Sequence, residues 1–194
     1  MDRRRFVNWA GLSGAAVLLS ACGGSKDKGT GPIAGEKPID STPERPESDV
    51  ADVNVLNSAL VLEHQAVAAY DAAVDVLRGA NRRAAATIGK HEREHVVRLT
   101  AAIKEIGGRP NTPPKNFDFG DLATEDDVLR LATRLENTAL AAYIEAIPKL
   151  NDPDMRRTAA AIYANEAEHL AVLNQARGER AAPEPFVTGE EAAA

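Results

Sequence analysis

Apolar residues recur at intervals of three and four along most of the chain from about residue 50 onwards. This spacing is typical of one buried face of an α-helix, and no segment shows the strict alternation of a half-buried β-strand. The pattern therefore predicts an all-α fold. Gly79 is expected to stop the first helix. The four predicted helices span about 50–78, 81–106, 124–148 and 152–178.

The ends of the later helices carry recognisable signals. The second helix is expected to end at the glycine pair 107–108. Thr124, followed three residues later by Asp127, has the pattern of a capping box at the start of the third helix. Asp152 and Pro153 supply an N-cap and a first-turn proline for the fourth. These signals place the connections between the helices.

The lengths of the connections limit the arrangement of the helices. Two or three residues join the first two helices and about four join the last two, so each pair is expected to form an antiparallel hairpin. The middle connection, about 108–124, is long enough to run the length of a bundle and return. The predicted fold is an antiparallel four-helix bundle of two helical hairpins with one long crossover, over residues 50–177.

Residues 1–21 resemble an export signal and are set apart from the fold. A basic run at 3–5 precedes a weakly apolar stretch that is too short to span a bilayer. The sequence "DRRRFVN" resembles a twin-arginine signal, and an ordinary general-secretion signal is the alternative. The sequence "LSAC" resembles the lipobox of bacterial lipoproteins and ends at Cys22, the chain's only cysteine. We therefore expect an exported protein, lipid-anchored through Cys22 at the outer face of the cell membrane or in the periplasm.

Two segments beside the predicted bundle lack the composition of a packed core. Residues 22–49 are rich in glycine, proline, serine and charge, and we interpret them as a flexible tether. Its root-mean-square reach is on the order of 30 Å. Residues 178–194 are expected to form a disordered tail. A single cysteine also excludes an intramolecular disulfide, so no covalent cross-link stabilises the domain.

The two predicted hairpins are related by an internal repeat. The stretch "LEHQAVAAYDAA" (62–73) matches "LENTALAAYIEA" (135–146) at seven of twelve positions. The stretch "AATIGKHEREHVVRL" (85–99) matches "AAAIYANEAEHLAVL" (159–173) at seven of fifteen. The matching polar residues are Glu63 with Glu136, Glu92 with Glu166, Glu94 with Glu168, and His95 with His169.

Six of these polar residues are predicted to face the core. Glu63 and Glu136 each lie in the apolar stripe of their helix, three or four residues from its apolar members. In the second and fourth helices a glutamate and a histidine are three residues apart, on the apolar face. No lysine or arginine lies on these stripes, and an unpaired buried carboxylate costs several kcal/mol. Two divalent cations would neutralise the four carboxylates.

One glutamate from each of two helices, with a Glu-x-x-His motif from each of the other two, is the ligand pattern of di-iron and di-manganese carboxylate bundles. Residues 50–177 resemble a ferritin-like domain of the rubrerythrin and bacterioferritin kind, closest to small exported ferritin-like proteins of bacteria. The resemblance implies two Fe or Mn ions, with terminal glutamates, bridging glutamates and one histidine per metal. The implied ligands are Glu63, Glu92, His95, Glu136, Glu166 and His169.

The same segment contains His-Glu-x-x-His at 91–95, a zinc-peptidase signature. That interpretation requires His91 as a ligand, yet its repeat mate is Asn165, and the sequence offers no edge strand to hold an extended substrate. We therefore regard a zinc metallopeptidase as the weaker alternative, with His91 beside the site rather than in it. His64 is expected to point away from the cluster.

Tyr70 and Tyr143 each follow a proposed ligand by seven residues, on the inner face. They are interpreted as core residues whose hydroxyl bonds to a carboxylate, with an electron-relay role as the alternative. Glu94 and Glu168 fall off the inner stripe and are expected to be solvated or to support the ligands.

The net charge and the family resemblance bear on the expected partners and function. The formal net charge is −6, and no stripe of Lys and Arg with interleaved aromatics is present, which argues against nucleic acid as a partner. The resemblance implies metal ions and O₂ or peroxide as partners, with ferroxidase or peroxidase-like oxidoreductase activity. The alternative is a non-catalytic metal-binding or structural lipoprotein. A tethered chain is an unlikely member of a closed cage, and a homodimer is possible.

Overall fold

The computed structural model describes residues 46–189. The expected export signal, Cys22 and nearly all of the tether lie outside the described residues. The described helices are α1 (Glu47–Val76), α2 (Gly79–Glu105), α3 (Glu125–Ala146) and α4 (Pro153–Ala176), with a 3₁₀ turn at Ile147–Lys149. No strand occurs between residues 46 and 189, which confirms the all-α prediction. None of these helices is long and apolar enough to cross a membrane.

The predicted N-terminal caps are present. The backbone N–H of Asp127 donates to the Thr124 hydroxyl over 3.1 Å, and the Thr124 N–H donates to the Asp127 carboxylate over 3.0 Å, which completes a capping box. At α4, the carboxylate of Asp152 accepts from the N–H groups of Asp154 and Met155. Each cap satisfies N–H groups that have no partner within the helix.

The second helix of each hairpin ends in the same way. Gly107 and Gly178 have φ angles of 73° and 79°, in the left-handed region that glycine adopts at low cost. In each case the following N–H returns to a carbonyl five residues earlier, as in a Schellman motif. Gly79, by contrast, is the first residue of α2 and does not stop α1. The helix ends earlier because Leu77 is already extended.

Apolar side chains pack in two clusters along the bundle. One cluster includes Leu56, Leu60, Leu99, Ile103, Tyr143 and Ile162. The other includes Tyr70, Ala73, Leu77, Ile88, Val128 and Leu173. Each fully buried leucine or isoleucine contributes about 1.5–3 kcal/mol. Along every helix the proposed ligands fall between members of the two clusters, so apolar side chains enclose the site from both ends of the bundle.

Two side chains of α1 hold the connections in place. Asn57 donates to the carbonyl of Arg109 over 3.0 Å and accepts from the N–H of Asn111 over 2.6 Å, which ties the start of the crossover to α1. The buried carboxylate of Asp52 accepts from Asn151 and from the N–H of Asp152 at 2.7–3.0 Å. Asp52 therefore fastens the connection between α3 and α4 to the first helix.

The segment 177–189 differs from the loose tail that its composition suggests. The hydroxyl of Tyr163 donates to the carbonyl of Val187, and Asn174 donates to the carbonyl of Ala181 over 3.3 Å. A cavity of roughly 160 Å³ lies between this segment, α3 and α4. The segment packs here because side chains of α4 donate to its backbone carbonyls, a contact that composition does not reveal.

Candidate metal centre

All six proposed ligands converge at the middle of the bundle. Each helix supplies part of the set, and every member is buried. The four carboxylate residues are each 1 % exposed. The contributions are Glu63 from α1, Glu92 and His95 from α2, Glu136 from α3, and Glu166 and His169 from α4.

The six side chains form two overlapping groups, and within each group the ligand atoms lie within 4.8 Å of one another. The first group is Glu63, Glu92, His95 and Glu166; the second is Glu92, Glu136, Glu166 and His169. Glu92 and Glu166 belong to both groups. The geometry therefore suits two neighbouring cations that share these two carboxylates, with a histidine and a terminal glutamate for each.

The imidazoles lie across the boundary between the hairpins. Nδ1 of His95 is 3.0 Å from Glu166 Oε1 and 3.2 Å from Glu63 Oε2. Nδ1 of His169 is 3.0 Å from Glu92 Oε1 and 3.3 Å from Glu166 Oε2. Each Nδ1 thus faces the carboxylates, and each histidine approaches a glutamate of the other hairpin.

The donor set fits metal ions better than it fits hydrogen bonds alone. Glu92 Oε1 and Glu166 Oε1 are buried, and no donor of the described residues is placed to hydrogen-bond to them. A histidine nitrogen lies 3.0 Å from each of these atoms without bonding geometry. Buried carboxylate oxygens without a donor are costly, and a cation would supply the missing partner.

The four carboxyl groups of the cluster differ in the direction of their pKa shifts. Burial raises the pKa of Glu63 to about 8 and that of Glu136 well above its ordinary value. Burial also opposes ionisation of Glu92 and Glu166, but their close polar contacts with His95 and His169 outweigh it and lower the pKa of both groups. Without metal, burial therefore favours the protonated forms of Glu63 and Glu136, whereas Glu92 and Glu166 favour the ionised form.

The histidines carry the balancing charge. Burial disfavours the imidazolium of both rings, yet hydrogen bonds to the surrounding glutamates outweigh it and raise the pKa of His95 to about 12 and that of His169 to about 11. Two imidazolium and two carboxylate ions leave the metal-free cluster neutral. Four carboxylates, two neutral imidazoles and two divalent cations are neutral as well, so the core tolerates both states.

Tyrosines close the cluster from the opposite hairpins. The hydroxyl of Tyr70 donates to Glu136 Oε1, and the hydroxyl of Tyr143 donates to Glu63 Oε1. Burial raises the pKa of both phenols well above the ordinary value, so they remain donors. The expectation of buried tyrosines bonded to carboxylates is confirmed, and each one serves the glutamate of the other hairpin.

The outer nitrogen of each histidine has a different partner. Nε2 of His95 lies 3.1 Å from Asn165 Oδ1, and Nε2 of His169 lies 3.0 Å from His91 Nδ1. His91 thus faces His169 and belongs to neither ligand group. A His-Glu-x-x-His zinc site needs both His91 and His95 on one ion, so this geometry does not support the peptidase interpretation.

Residues off the inner stripe lie where the sequence places them. Glu94 and Glu168 are exposed, and Glu168 accepts from Asn165 Nδ2 over 3.1 Å. His64 is half-buried and in neither ligand group. The sequence does not predict the contact of Asn165 with His95, although the repeat equivalence of Asn165 and His91 is a signal that could indicate it.

The cluster approaches solvent between α2 and α4. One groove on this face is lined by His95, Arg98, Thr158 and Asn165. A second is lined by Ile88, His91, Asn165 and His169. The side chain of His95 is 11 % exposed, whereas the four carboxylates are 1 % exposed. The histidines therefore line the side of the cluster that faces these two grooves.

Comparisons with known proteins agree with the four-helix fold. A family model described as "Ferritin-like domain" matches residues 51–179. No curated protein matches the chain at a significant level.

Three solved structures share the fold. A conserved hypothetical protein of Mycobacterium tuberculosis has a TM-score of 0.64 and 19 % identity, over 72 % of this chain and 99 % of that one. A ferritin-like, diiron-carboxylate protein of Bacillus anthracis has a TM-score of 0.60 and 20 % identity, over 68 % and 98 %. The bacterioferritin-related protein of Bacteroides fragilis, a dodecameric thioferritin, has a TM-score of 0.61 and 22 % identity, over 67 % and 86 %.

Proposed function

The chain belongs to the ferritin-like domain family, and from that premise we propose that its buried cluster binds two Fe or Mn ions and uses them in redox chemistry. The observation that carries the proposal is the sharing of Glu92 and Glu166 between two groups of ligand atoms. Glu63 and His95 complete the first ion's ligands, and Glu136 and His169 complete the second's. The similarity to a diiron-carboxylate protein of Bacillus anthracis supports the same assignment.

The donor atoms favour Fe(II) or Mn(II). Carboxylate oxygens dominate the set, with one imidazole nitrogen for each ion and no thiolate in the described residues. Such hard donors suit these ions better than they suit metals that prefer soft thiolate ligands. Glu92 and Glu166 each have one buried oxygen without a hydrogen-bond donor, and these two carboxylates would be the bridging ligands.

The proposed activity is ferroxidase or peroxidase-like. Two bound Fe(II) or Mn(II) ions would supply the electrons that reduce O₂ or peroxide and would themselves be oxidised. The chain's own residues place these ions in a dry cluster, hold the terminal glutamates with tyrosine hydroxyls, and leave a path for small molecules between α2 and α4. Tyr70 and Tyr143 keep their protons and act as hydrogen-bond donors.

We propose that the domain is exported and anchored through a lipid on Cys22, on the strength of the lipobox-like sequence alone. The tether would let the bundle stand clear of the membrane surface. The twin-arginine route would allow metal loading before export, because that route carries folded proteins. Labelling with a radioactive fatty acid tests the anchor, and Cys22→Ser is expected to abolish the label.

Elemental analysis of the mature protein purified from its own cells tests metal binding. The wild type is expected to contain about two ions of Fe or Mn per chain. Glu92→Ala with Glu166→Ala is expected to lose both. Glu94→Ala is the matched control, because it changes the exposed glutamate of the same motif as Glu92 and should keep its metal.

The redox part of the proposal has its own test. Metal-loaded protein is mixed with Fe(II) and O₂, or with peroxide, and consumption of the oxidant is followed. Turnover that is lost in the Glu92→Ala, Glu166→Ala variant supports an oxidoreductase. Bound metal without turnover favours a metal-binding lipoprotein, and equal metal in the variant and in the control contradicts the bridging role. A homodimer remains a prediction.

A further inference from the structure

The internal repeat is broken at one position beside the cluster. Residues 91 and 165 are equivalent in the two hairpins, and each contacts the outer nitrogen of the other hairpin's histidine. One of them is an imidazole and the other an amide. The six ligands are matched between the hairpins, so this pair is where the two halves of the site differ.

Asn165 offers His95 a neutral carbonyl. Its Oδ1 lies 3.1 Å from His95 Nε2, and its Nδ2 donates to the exposed carboxylate of Glu168 over 3.1 Å. An amide oxygen is a competent acceptor but a very weak base. It fixes the orientation of the ring and adds little to the electron density of the nitrogen that faces the ions.

His91 offers His169 a basic nitrogen. Its Nδ1 lies 3.0 Å from His169 Nε2, and the two rings are nearly parallel, with centroids 5.3 Å apart and an angle of 20°. Nδ1 of His91 accepts this bond when its own proton is on Nε2. A metal-bound imidazole donates its outer N–H more strongly, and a basic acceptor raises the donor strength of its metal-facing nitrogen.

We propose that His91 is a positioning residue that makes the two metal positions unequal, so that the position of His169 binds its ion more tightly and fills first. The inference rests on the proposed binding of two ions. His91 coordinates neither ion, yet under this proposal it determines the order in which the two metal positions fill. Partners of metal-bound histidines typically change affinity by about 10–100-fold.

Anaerobic titration of the metal-free protein with Mn²⁺ measures both affinities. In the wild type the two dissociation constants are expected to differ by about tenfold or more. His91→Asn copies the amide of the other half and should merge the two steps by weakening the tighter one. Asn165→His copies the imidazole and should merge them by strengthening the weaker one.

Two backgrounds assign the effect to a position. Glu63→Gln removes a ligand of the position of His95 and leaves the position of His169 intact. In this background His91→Asn is expected to lower the affinity for Mn²⁺ about tenfold. Glu136→Gln leaves the position of His95, and there the same change should have no effect. His64→Asn in the first background is the control, since His64 is half-buried and in neither ligand group. Thermal unfolding without metal identifies any variant that has lost its fold.

The possible results separate the two proposals. If the wild type binds fewer than two ions, the proposed function fails. If it binds two ions with equal affinity, or if His91→Asn weakens both backgrounds equally, the function stands and the role of His91 is overturned. The proposal is supported if His91→Asn lowers the affinity for Mn²⁺ in the Glu63→Gln background but not in the Glu136→Gln background. His64→Asn should leave the affinity unchanged.

Discussion

Tyr143 on α3 donates a hydrogen bond to Glu63 on α1, so a hydroxyl of the second hairpin holds a carboxyl group of the first. Tyr70 does the same for Glu136 in the opposite direction. These two reciprocal bonds join the hairpins at the cluster itself. They also place an O–H donor on Oε1 of each of these glutamates, while Oε2 of each faces a histidine of the cluster.

Tyr143→Phe is expected to leave Glu63 Oε1 buried without a donor. Such a loss costs about 1–3 kcal/mol, which urea unfolding of the metal-free protein would detect. Tyr70→Phe should cost a similar amount through Glu136. Tyr163→Phe is the control, because its hydroxyl bonds to the carbonyl of Val187 and not to a proposed ligand. Its metal affinity should equal that of the wild type. A Tyr143→Phe protein as stable as the wild type would show that the bond contributes little.

Metal binding is expected to release protons. The raised pKa values of Glu63, Glu136, His95 and His169 favour their protonated forms in the metal-free protein, and each group must lose its proton to serve as a ligand. About four protons should leave for two ions, so each affinity rises by about a hundredfold per pH unit below pH 8. Calorimetry in buffers of different ionisation enthalpy counts them. Affinity that is constant from pH 6 to pH 7.5 contradicts this charge state.

The contribution of the cluster to the stability of the metal-free protein should be greatest near pH 4.5, the ordinary pKa of a glutamate in the unfolded chain. The raised pKa values of His95 and His169 give stability that is complete below pH 6.5 and lost as the pH rises through 11 to 12. The raised pKa of buried Glu63 costs stability that accumulates as the pH rises from about 4.5, where the unfolded group ionises, to about 8, where the folded group ionises as well. The lowered pKa values of Glu92 and Glu166 give stability that is lost in acid.

Urea midpoints at about pH 3, 4.5, 7 and 9 with a chelator would trace this maximum. The same series with Mn²⁺ should decline less between pH 7 and pH 9, because the ions then neutralise the glutamates. An equal alkaline decline with and without Mn²⁺ would assign it to groups outside the cluster.

Asp52→Ala is expected to destabilise the bundle by about 3 kcal/mol, since three hydrogen bonds from Asn151 and Asp152 lose a buried charged acceptor. Asp75→Ala changes an exposed aspartate of the same helix and should cost about 0.5 kcal/mol or less. Metal content is expected to stay at the wild-type level, because Asp52 precedes Glu63 by eleven residues of helix, roughly 16 Å. Loss of metal in a folded Asp52→Ala protein would show coupling between the two.

Gly189→Ala is expected to release the segment 177–189 from the bundle. A Cβ atom at this residue would lie 2.3 Å from the carbonyl oxygen of Asn137, and its φ of 81° disfavours any side chain. Hydrogen exchange of the segment should speed up while exchange of α1 and α2 stays slow. Gly120→Ala, at a similar φ but with open space around it, is the control for backbone strain alone.

Much of the fold and of the site was predictable because its signals are local. Helical periodicity, the Thr124 and Asp152 caps and the glycine pair at 107–108 are each contained within a few residues. The inward orientation of the six proposed ligands follows from their spacing to apolar neighbours on the same helix. The repeat then indicates that the two halves share one cluster, since equivalent side chains in related hairpins meet at a common axis.

The remaining features depend on which distant residues are brought together. The pairing of Tyr143 with Glu63 joins residues 80 apart in the chain, and that of His91 with His169 joins residues 78 apart. Periodicity within a helix indicates which side faces inward, but not which atom of another helix lies opposite. The packing of 177–189 likewise rests on single hydrogen bonds to α4. The sequence alone therefore determined the helices and the chemistry that they bury. The tertiary structure decided the hydrogen-bond partners of each ligand, because only interhelical distance and rotation bring a donor within reach of an acceptor.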